Sequence, residues 1–149
     1  MDMTERNIPV ARIDRAFNAA VRWLTRRGIS IMGSRVLAVR GRTSGRWRTT
    51  PVNLLGLDGE RYLVAPRGHT QWVRNIRVAG GGELRLGRWV EAITVTEVDD
   101  TDKAPVLREY LRRWAWEVGR FFPDGVSASA PEQTLREIAP GFPVFRLTR

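Results

Sequence analysis

Two loops carry most of the side chains in this sequence that could do chemistry. The first reads Gly41-Arg42-Thr43-Ser44-Gly45-Arg46-Trp47-Arg48-Thr49-Thr50-Pro51. The second reads Pro66-Arg67-Gly68-His69-Thr70-Gln71-Trp72-Val73-Arg74-Asn75. In the first, Gly41 and Gly45 let backbone N–H groups approach a ligand closely. Thr43 and Ser44 add hydroxyl donors, and Arg42, Arg46 and Arg48 add planar guanidinium forks suited to phosphate. The second loop runs into a predicted helix start, where unpaired N–H groups attract anions. Together the loops suit an elongated anion bearing phosphate or carboxylates. Each also has a plainer reading: an arginine-decorated hairpin loop, a tryptophan anchored in the core at Trp72, and an ordinary loop histidine at His69.

The remaining residues exclude much. His69 is the single histidine and there is no cysteine. A multi-histidine metal site, a Cys-ligated metal, a disulfide and a thiolate nucleophile are therefore ruled out, and any Ser-His-Asp triad would have to pass through His69. Asp99, Asp100 and Asp102 sit where a turn and a helix start favour acids, and no other carboxylates form a convincing acid/base pair. An enzyme built from these residues would leave the chemistry to a bound organic cofactor, and no metal is expected.

The chain has 149 residues, 42% of them hydrophobic, which fits one domain over residues 1–149. No apolar run approaches the ~18 residues of a membrane span, and arginines interrupt the N-terminus where a signal peptide would need an apolar stretch. The expected location is the cytoplasm. Lys103 is the only lysine among 25 cationic residues, and the net charge is +9. Codon bias explains an excess of arginine over lysine. It does not explain an excess of cations over anions, which favours an anionic partner: a cofactor with a charged tail, nucleic acid or a membrane surface.

The elements that must position the loops follow from periodicity. Val10, Ile13, Phe17, Val21 and Leu24 predict an amphipathic helix from about Pro9 to Arg27; it would pack on the domain or rest on a membrane as a peripheral contact. Val36 to Val39 is a short strand. Pro51 to Leu57 and Glu60 to Ala65 flank Asp58-Gly59, a hairpin signal. A helix fits Thr70 to Val78, ended by Gly80-Gly81-Gly82. Glu83 to Leu86 and Trp89 to Val98 are strands, the second apolar on both faces and so expected to be largely buried. A long helix spans about Thr101 to Arg120 with Leu107, Leu111, Trp114 and Val118 as its inner stripe. Pro131 to Ile138 is a short helix and Pro143 to Thr148 a closing strand. The class is α+β, with the antiparallel meander forming a small barrel.

The order of Gly41-Arg42-Thr43-Ser44-Gly45, Arg48-Thr49-Thr50-Pro51, the Asp58-Gly59 hairpin and Gln71-Trp72-Val73-Arg74-Asn75-Ile76 resembles the deazaflavin-dependent nitroreductase family. The resemblance is strongest over Ser34 to about Val98. It implies a split β-barrel of the FMN-binding type with flanking helices. It further implies an oxidoreductase that binds coenzyme F-420, an 8-hydroxy-5-deazaflavin with a phosphate and an oligoglutamate tail. Hydride would pass from the reduced cofactor to a small-molecule acceptor: quinone-like, nitroaromatic or otherwise unsaturated. FMN in the same groove is the alternative cofactor, and a homodimer is implied by family analogy.

Carried over by position, Arg42, Ser44 and Arg48 would meet the phosphate and tail. Thr50, Pro51 and Val52 would lie along the ring. Arg67, Gly68, His69 and Thr70 would cradle the phosphate and ribityl chain, while Gln71, Trp72 and Asn75 would fix the helix and wall the ring. The chain departs from the family in two places. Pro66-Arg67-Gly68-His69 stands where relatives often have Ser-Lys-Gly-Gly, which removes a hydroxyl and an amide donor. The C-terminal region offers Tyr110, Trp114 and Trp116 as a substrate pocket where nitro-reducing members use tyrosines. Two readings outside this chemistry stay open: a cofactor carrier without turnover, and a nucleic-acid-binding module, which lacks any supporting motif.

Overall fold

Seven antiparallel strands frame the protein, whose computed structural model describes residues 3–8 and 33–148. The strands are β1 (Ser34–Arg40), β2 (Trp47–Asn53), β3 (Leu55–Leu57), β4 (Glu60–Val64), β5 (Gly81–Leu86), β6 (Trp89–Glu97) and β7 (Val144–Thr148). Among the described residues three α-helices accompany them: α1 (Gln71–Ala79), α2 (Ala104–Val118) and α3 (Glu132–Ile138). The order across the sheet is β2-β1-β5-β6-β7-β4-β3. Its two edges, β2 and β3, are consecutive in the chain and separated only by Leu54. The sheet must therefore curl until its edges meet, which makes it a split barrel. The predicted helix from Pro9 to Arg27 lies outside the described residues.

Local chemistry accounts for these elements. The Asp58-Gly59 turn has φ of 51° and 78° at its two residues, the mirror-image turn that a twisted hairpin prefers. It joins β3 to β4 in the register Leu57↔Glu60. The predicted strand over Pro51 to Leu57 is in fact two, because Leu54 donates its N–H to Gly33 O at 3.0 Å and hands the chain from one sheet edge to the other. β2 also starts earlier than expected, at Trp47, since Arg48, Thr49 and Thr50 pair with Val39, Ala38 and Leu37. The first loop is thereby reduced to Gly41–Arg46, closed by Gly41 N–H to Arg46 O at 2.8 Å.

Of the three glycines read as a helix stop, only Gly80 serves as one, donating to Ile76 O at 2.8 Å. Gly81 and Gly82 belong to β5. A Cβ there would stand 2.1 Å from Ile93 O and 2.3 Å from Ala38 O, so the neighbouring strands approach where a side chain would be. The expectation that β6 is largely buried fails: Ile93 alone on that strand is buried, and Trp89 and Val90 are exposed.

Apolar side chains gather in two clusters. One lies under α2 and α3 and contains Leu55, Leu107, Leu111, Trp114, Phe142 and Val144. The other fills the curl of the sheet, where Val73 and Ile76 of α1 meet Leu37, Leu63 and Phe145. Helix α1 thus plugs the barrel, and its N-terminus is held at the rim. No helix among the described residues is long and apolar enough to cross a membrane.

Candidate functional site

The two chemistry-bearing loops meet at the start of α1. Asn75, buried on the second turn of that helix, joins them: its Oδ1 accepts from the backbone N–H of Arg42 at 3.1 Å and from Arg42 Nη1 at 2.8 Å. Arg42 Nη1 also donates to Gln71 Oε1 at 2.9 Å. A buried amide oxygen stripped of these donors would cost about 1–3 kcal/mol, so the pairing holds the first loop on the helix. Within that loop Ser44 Oγ accepts from Arg46 N–H at 3.2 Å.

Between the loops opens a groove of about 820 Å³. Nine of the sequence-predicted residues line it: Arg42, Ser44, Arg48, Thr50, Arg67, Thr70, Gln71, Trp72 and Asn75. Arg48 makes no hydrogen bond or ion pair with the described residues, so its charge is available to a ligand there. Arg67 is steadied by the Phe121 ring, 5.5 Å from its guanidinium carbon. Thr70 occupies the N-cap position of α1 without a side-chain cap bond, leaving the first N–H groups of the helix to other partners. The Trp72 ring packs against Phe145 of the core at 5.7 Å and also lines the groove.

A smaller cavity of about 110 Å³ shares Thr50, Arg67, Thr70 and Trp72 with the groove. Pro51 and Val52 line it, and across from β2 so do Tyr110 and Glu117 of α2. Burial pushes the Tyr110 hydroxyl above its ordinary range, with the Glu117 charge adding to the effect. Burial likewise raises the Glu117 carboxyl, opposed by a hydrogen bond from Asn53 and by the Arg120 charge.

Four predicted residues lie elsewhere. Trp114 is buried in the core beneath Gly33, and Trp116 is exposed at the surface. Gly68 sits under the backbone of Arg6. His69 is fixed between Arg77 and Pro140: Nδ1 accepts from Arg77 Nη1 at 3.1 Å, so Nε2 is left to donate to Pro140 O at 2.9 Å. Sequence reasoning had missed Asn7 and Ile8 on the groove and Asn53, Glu117 and Arg120 at the smaller cavity. Only Glu117 left a signal, as an acid in the last turn of a helix where the dipole disfavours negative charge.

Residues 10–118 match the family described as F-420H(2)-dependent quinone reductase. The chain belongs to this family. It is accordingly an oxidoreductase that uses coenzyme F-420. No curated protein matches the chain. A solved structure described as an F-420-H2 dependent reductase superposes with a TM-score of 0.51 at 16% identity, covering 78% of this chain and 94% of that one. A pyridoxamine 5'-phosphate oxidase-related, FMN binding protein from Nostoc punctiforme gives 0.53 at 15% identity, covering 95% and 82%. A third, described as a domain-swapped dimer, gives 0.56 at 14% identity, covering 93% and 100%. These likenesses show the split-barrel fold.

Proposed function

We propose that the protein passes a hydride from reduced coenzyme F-420 to a quinone-like, nitroaromatic or otherwise unsaturated acceptor, with the groove as the cofactor site and the smaller cavity facing the acceptor. The observation that carries this reading is the pairing of the two spaces. A groove with cations and a helix start along it adjoins a compact recess of mixed polar and apolar lining, with which it shares Thr50, Arg67, Thr70 and Trp72.

The groove's size falls within the ~300–1,000 Å³ usual for organic ligands, and its chemistry changes along its length. Arg42, Ser44 and Arg48 present donors and charge to a phosphate and an oligoglutamate tail. Arg67, Thr70 and the unpaired N–H groups of α1 offer a second anion-binding point. Trp72 supplies a flat apolar wall, and Asn75 and Gln71 hold the first loop on α1 through Arg42. Thr50, Pro51 and Val52 lie on β2, an edge strand whose outer backbone groups pair with no further strand among the described residues, so they can pair with the polar rim of a flavin-like ring. Gly68 and His69 act at one remove, by shaping the loop. Bound in the groove, the reduced cofactor supplies the hydride, and the protein's own part is to orient and enclose.

A fluorescence titration with oxidised F-420, with FMN in parallel, tests the assignment. Saturable binding at micromolar F-420 is expected. Arg48→Ala should weaken it about 10-fold, the value of one charge-assisted contact of about 1.4 kcal/mol. Preference for FMN would retain the groove and change the cofactor, and indifference to both would sink the reading.

The proposal includes a homodimer. It is supported by Trp89, 80% exposed at the tip of the β5–β6 hairpin, and by neighbouring Val90 at 56%. Solvent-facing apolar residues of this size are suited to an interface. Sedimentation equilibrium should give twice the chain mass, and Trp89→Arg should give the monomer. A monomeric wild type would exclude the dimer.

A further inference from the structure

We propose that Glu117 is the proton donor of the reaction, delivering its carboxyl proton to the acceptor as the hydride arrives. The inference rests on the reductase reading above and adds to it the acid that composition alone did not reveal.

The placement comes first. Glu117 lines the recess opposite Thr50, Pro51 and Val52, and the recess opens from the groove through four shared residues. Asn53, the last residue of β2, holds the carboxyl at the end of that strand, so an acceptor stacked on a ring along Thr50 to Val52 would share the recess with it. The recess, at about 110 Å³, has room for the oxygen-bearing edge of an acceptor or a few waters.

The environment comes second. Glu117 is half-buried in the last turn of α2, just past a break in helical geometry at Trp114, and burial works against its carboxylate form. Its hydrogen-bonding neighbour is Asn53, whose Nδ2 donates to Oε2 at 3.3 Å, long for such a bond and neutral in charge. The ionisable groups sharing the recess are Tyr110 on the same helix, Arg120 just beyond it and Arg67 from the loop before α1. Burial is the leading influence and raises the carboxyl; Asn53 and Arg120 oppose it. Glu109, two turns earlier on α2, is the contrast. Hydrogen bonds from Arg112 and Arg113 hold it down at about 2, and it points to solvent-exposed arginines. Two glutamates on one helix are thus pushed in opposite directions, and the raised one is the one in the recess. That is the arrangement expected of a general acid.

The step balances. For a quinone, the hydride from the reduced cofactor adds two electrons and leaves negative charge on an acceptor oxygen. The O–H bond of the Glu117 carboxyl breaks as the new O–H bond on that oxygen forms. The carboxylate is then reprotonated from solvent before the next turnover.

The test compares wild type, Glu117→Gln, Asn53→Ala and Glu109→Gln with F-420 and a soluble benzoquinone. Glu117→Gln keeps an acceptor for Asn53, so its melting temperature and F-420 affinity should match wild type while kcat falls about 100-fold or more. The basic limb of the wild-type kcat–pH profile should vanish in this variant. Asn53→Ala removes a contact that favours the carboxylate, so it should move the same limb to higher pH. Glu109→Gln should leave the profile unchanged. Independently of turnover, carbon-13 NMR of the ligand-free protein should show one carboxyl titrating above the usual glutamate range, absent in Glu117→Gln. If Glu117→Gln binds F-420 normally and retains kcat within threefold, the proton-donor role is overturned while the reductase reading stands. A wild type that neither binds F-420 nor turns over overturns both.

Discussion

Trp114→Ala is expected to destabilise the protein by about 3–5 kcal/mol, the range for removing a buried large aromatic ring. The residue is 2% exposed and packs within the cluster that α2 forms with Leu55, Phe142 and Val144. Its ring lies tilted against Tyr110 at 5.4 Å, and its Cζ2 comes within 3.1 Å of where a side chain on Gly33 would begin. Neither neighbour can collapse into the space without moving the start of β1 or the middle of α2. The cavity term should therefore add fully to the lost burial. A typical domain has only about 5–15 kcal/mol of stability, so the loss should lower the melting temperature by roughly 10 °C or more. Trp116→Ala is the control: that ring is 61% exposed, and its removal should cost no more than about 0.5 kcal/mol. Chemical denaturation of the two variants side by side decides the matter. Equal midpoints would mean that α2 is not held by its tryptophan.

The contrast between these two tryptophans shows what was legible in the sequence. Helical spacing placed Trp114 with Leu107, Leu111 and Val118 on one stripe, and all four are buried as that stripe requires. The Asp58-Gly59 hairpin and the helix after Thr70 were equally readable, because each depends on neighbours a few residues apart. The division at Leu54 was not. Nothing local distinguishes one strand over Pro51 to Leu57 from two strands on opposite edges of a curled sheet; Leu54 is set by its bond to Gly33, far back in the chain. β6 misled for a related reason. Apolar residues on both faces suggested burial on both, yet Ile93 alone is buried, and even Thr94, Thr96 and Glu97, which pair with β7, are exposed.

The groove followed the same rule. Its residues were legible where two loops had the right composition, and the recess was not, since it needs α2 to lie across β2. Glu117 and Asn53 are 64 residues apart. Their meeting is a property of the barrel's closure, and no spacing in the sequence encodes it. The structure also gives His69 a different task from the one its position suggested. Both ring nitrogens are engaged, so it braces the turn at Pro140, while Arg67 and Thr70 line the groove.

Gly68→Ala should separate that bracing from the groove itself. Gly68 has φ of +92°, a conformation costly for any residue with a side chain, and an added Cβ would stand 2.2 Å from Arg6 O. The clash is with backbone, so the segment Arg6–Ile8 must move. Two hydrogen bonds, which together make the Asn7↔Gly68 bridge, anchor that segment at this point: Ile8 N–H to Arg67 O at 2.9 Å and His69 N–H to Arg6 O at 2.8 Å. Arg6 itself is buried over the Phe142 ring, donating to Gly141 O and Phe121 O, and cannot follow without leaving those carbonyls unpaired. The expected loss is about 3 kcal/mol, from ~1–2 for the left-handed backbone and the rest from broken contacts. Because Asn7 and Ile8 wall the groove, F-420 affinity should fall as well, by about 10-fold. Gly45→Ala sharpens the reading. Gly45 also has positive φ, +71°, but an added Cβ there meets nothing within 4 Å, so only the backbone term of about 1–2 kcal/mol should appear. Equal losses in the two variants would mean the Arg6–Ile8 segment does not hold the loop. A larger loss in Gly68→Ala, with weakened binding, would make that segment a working wall of the cofactor groove.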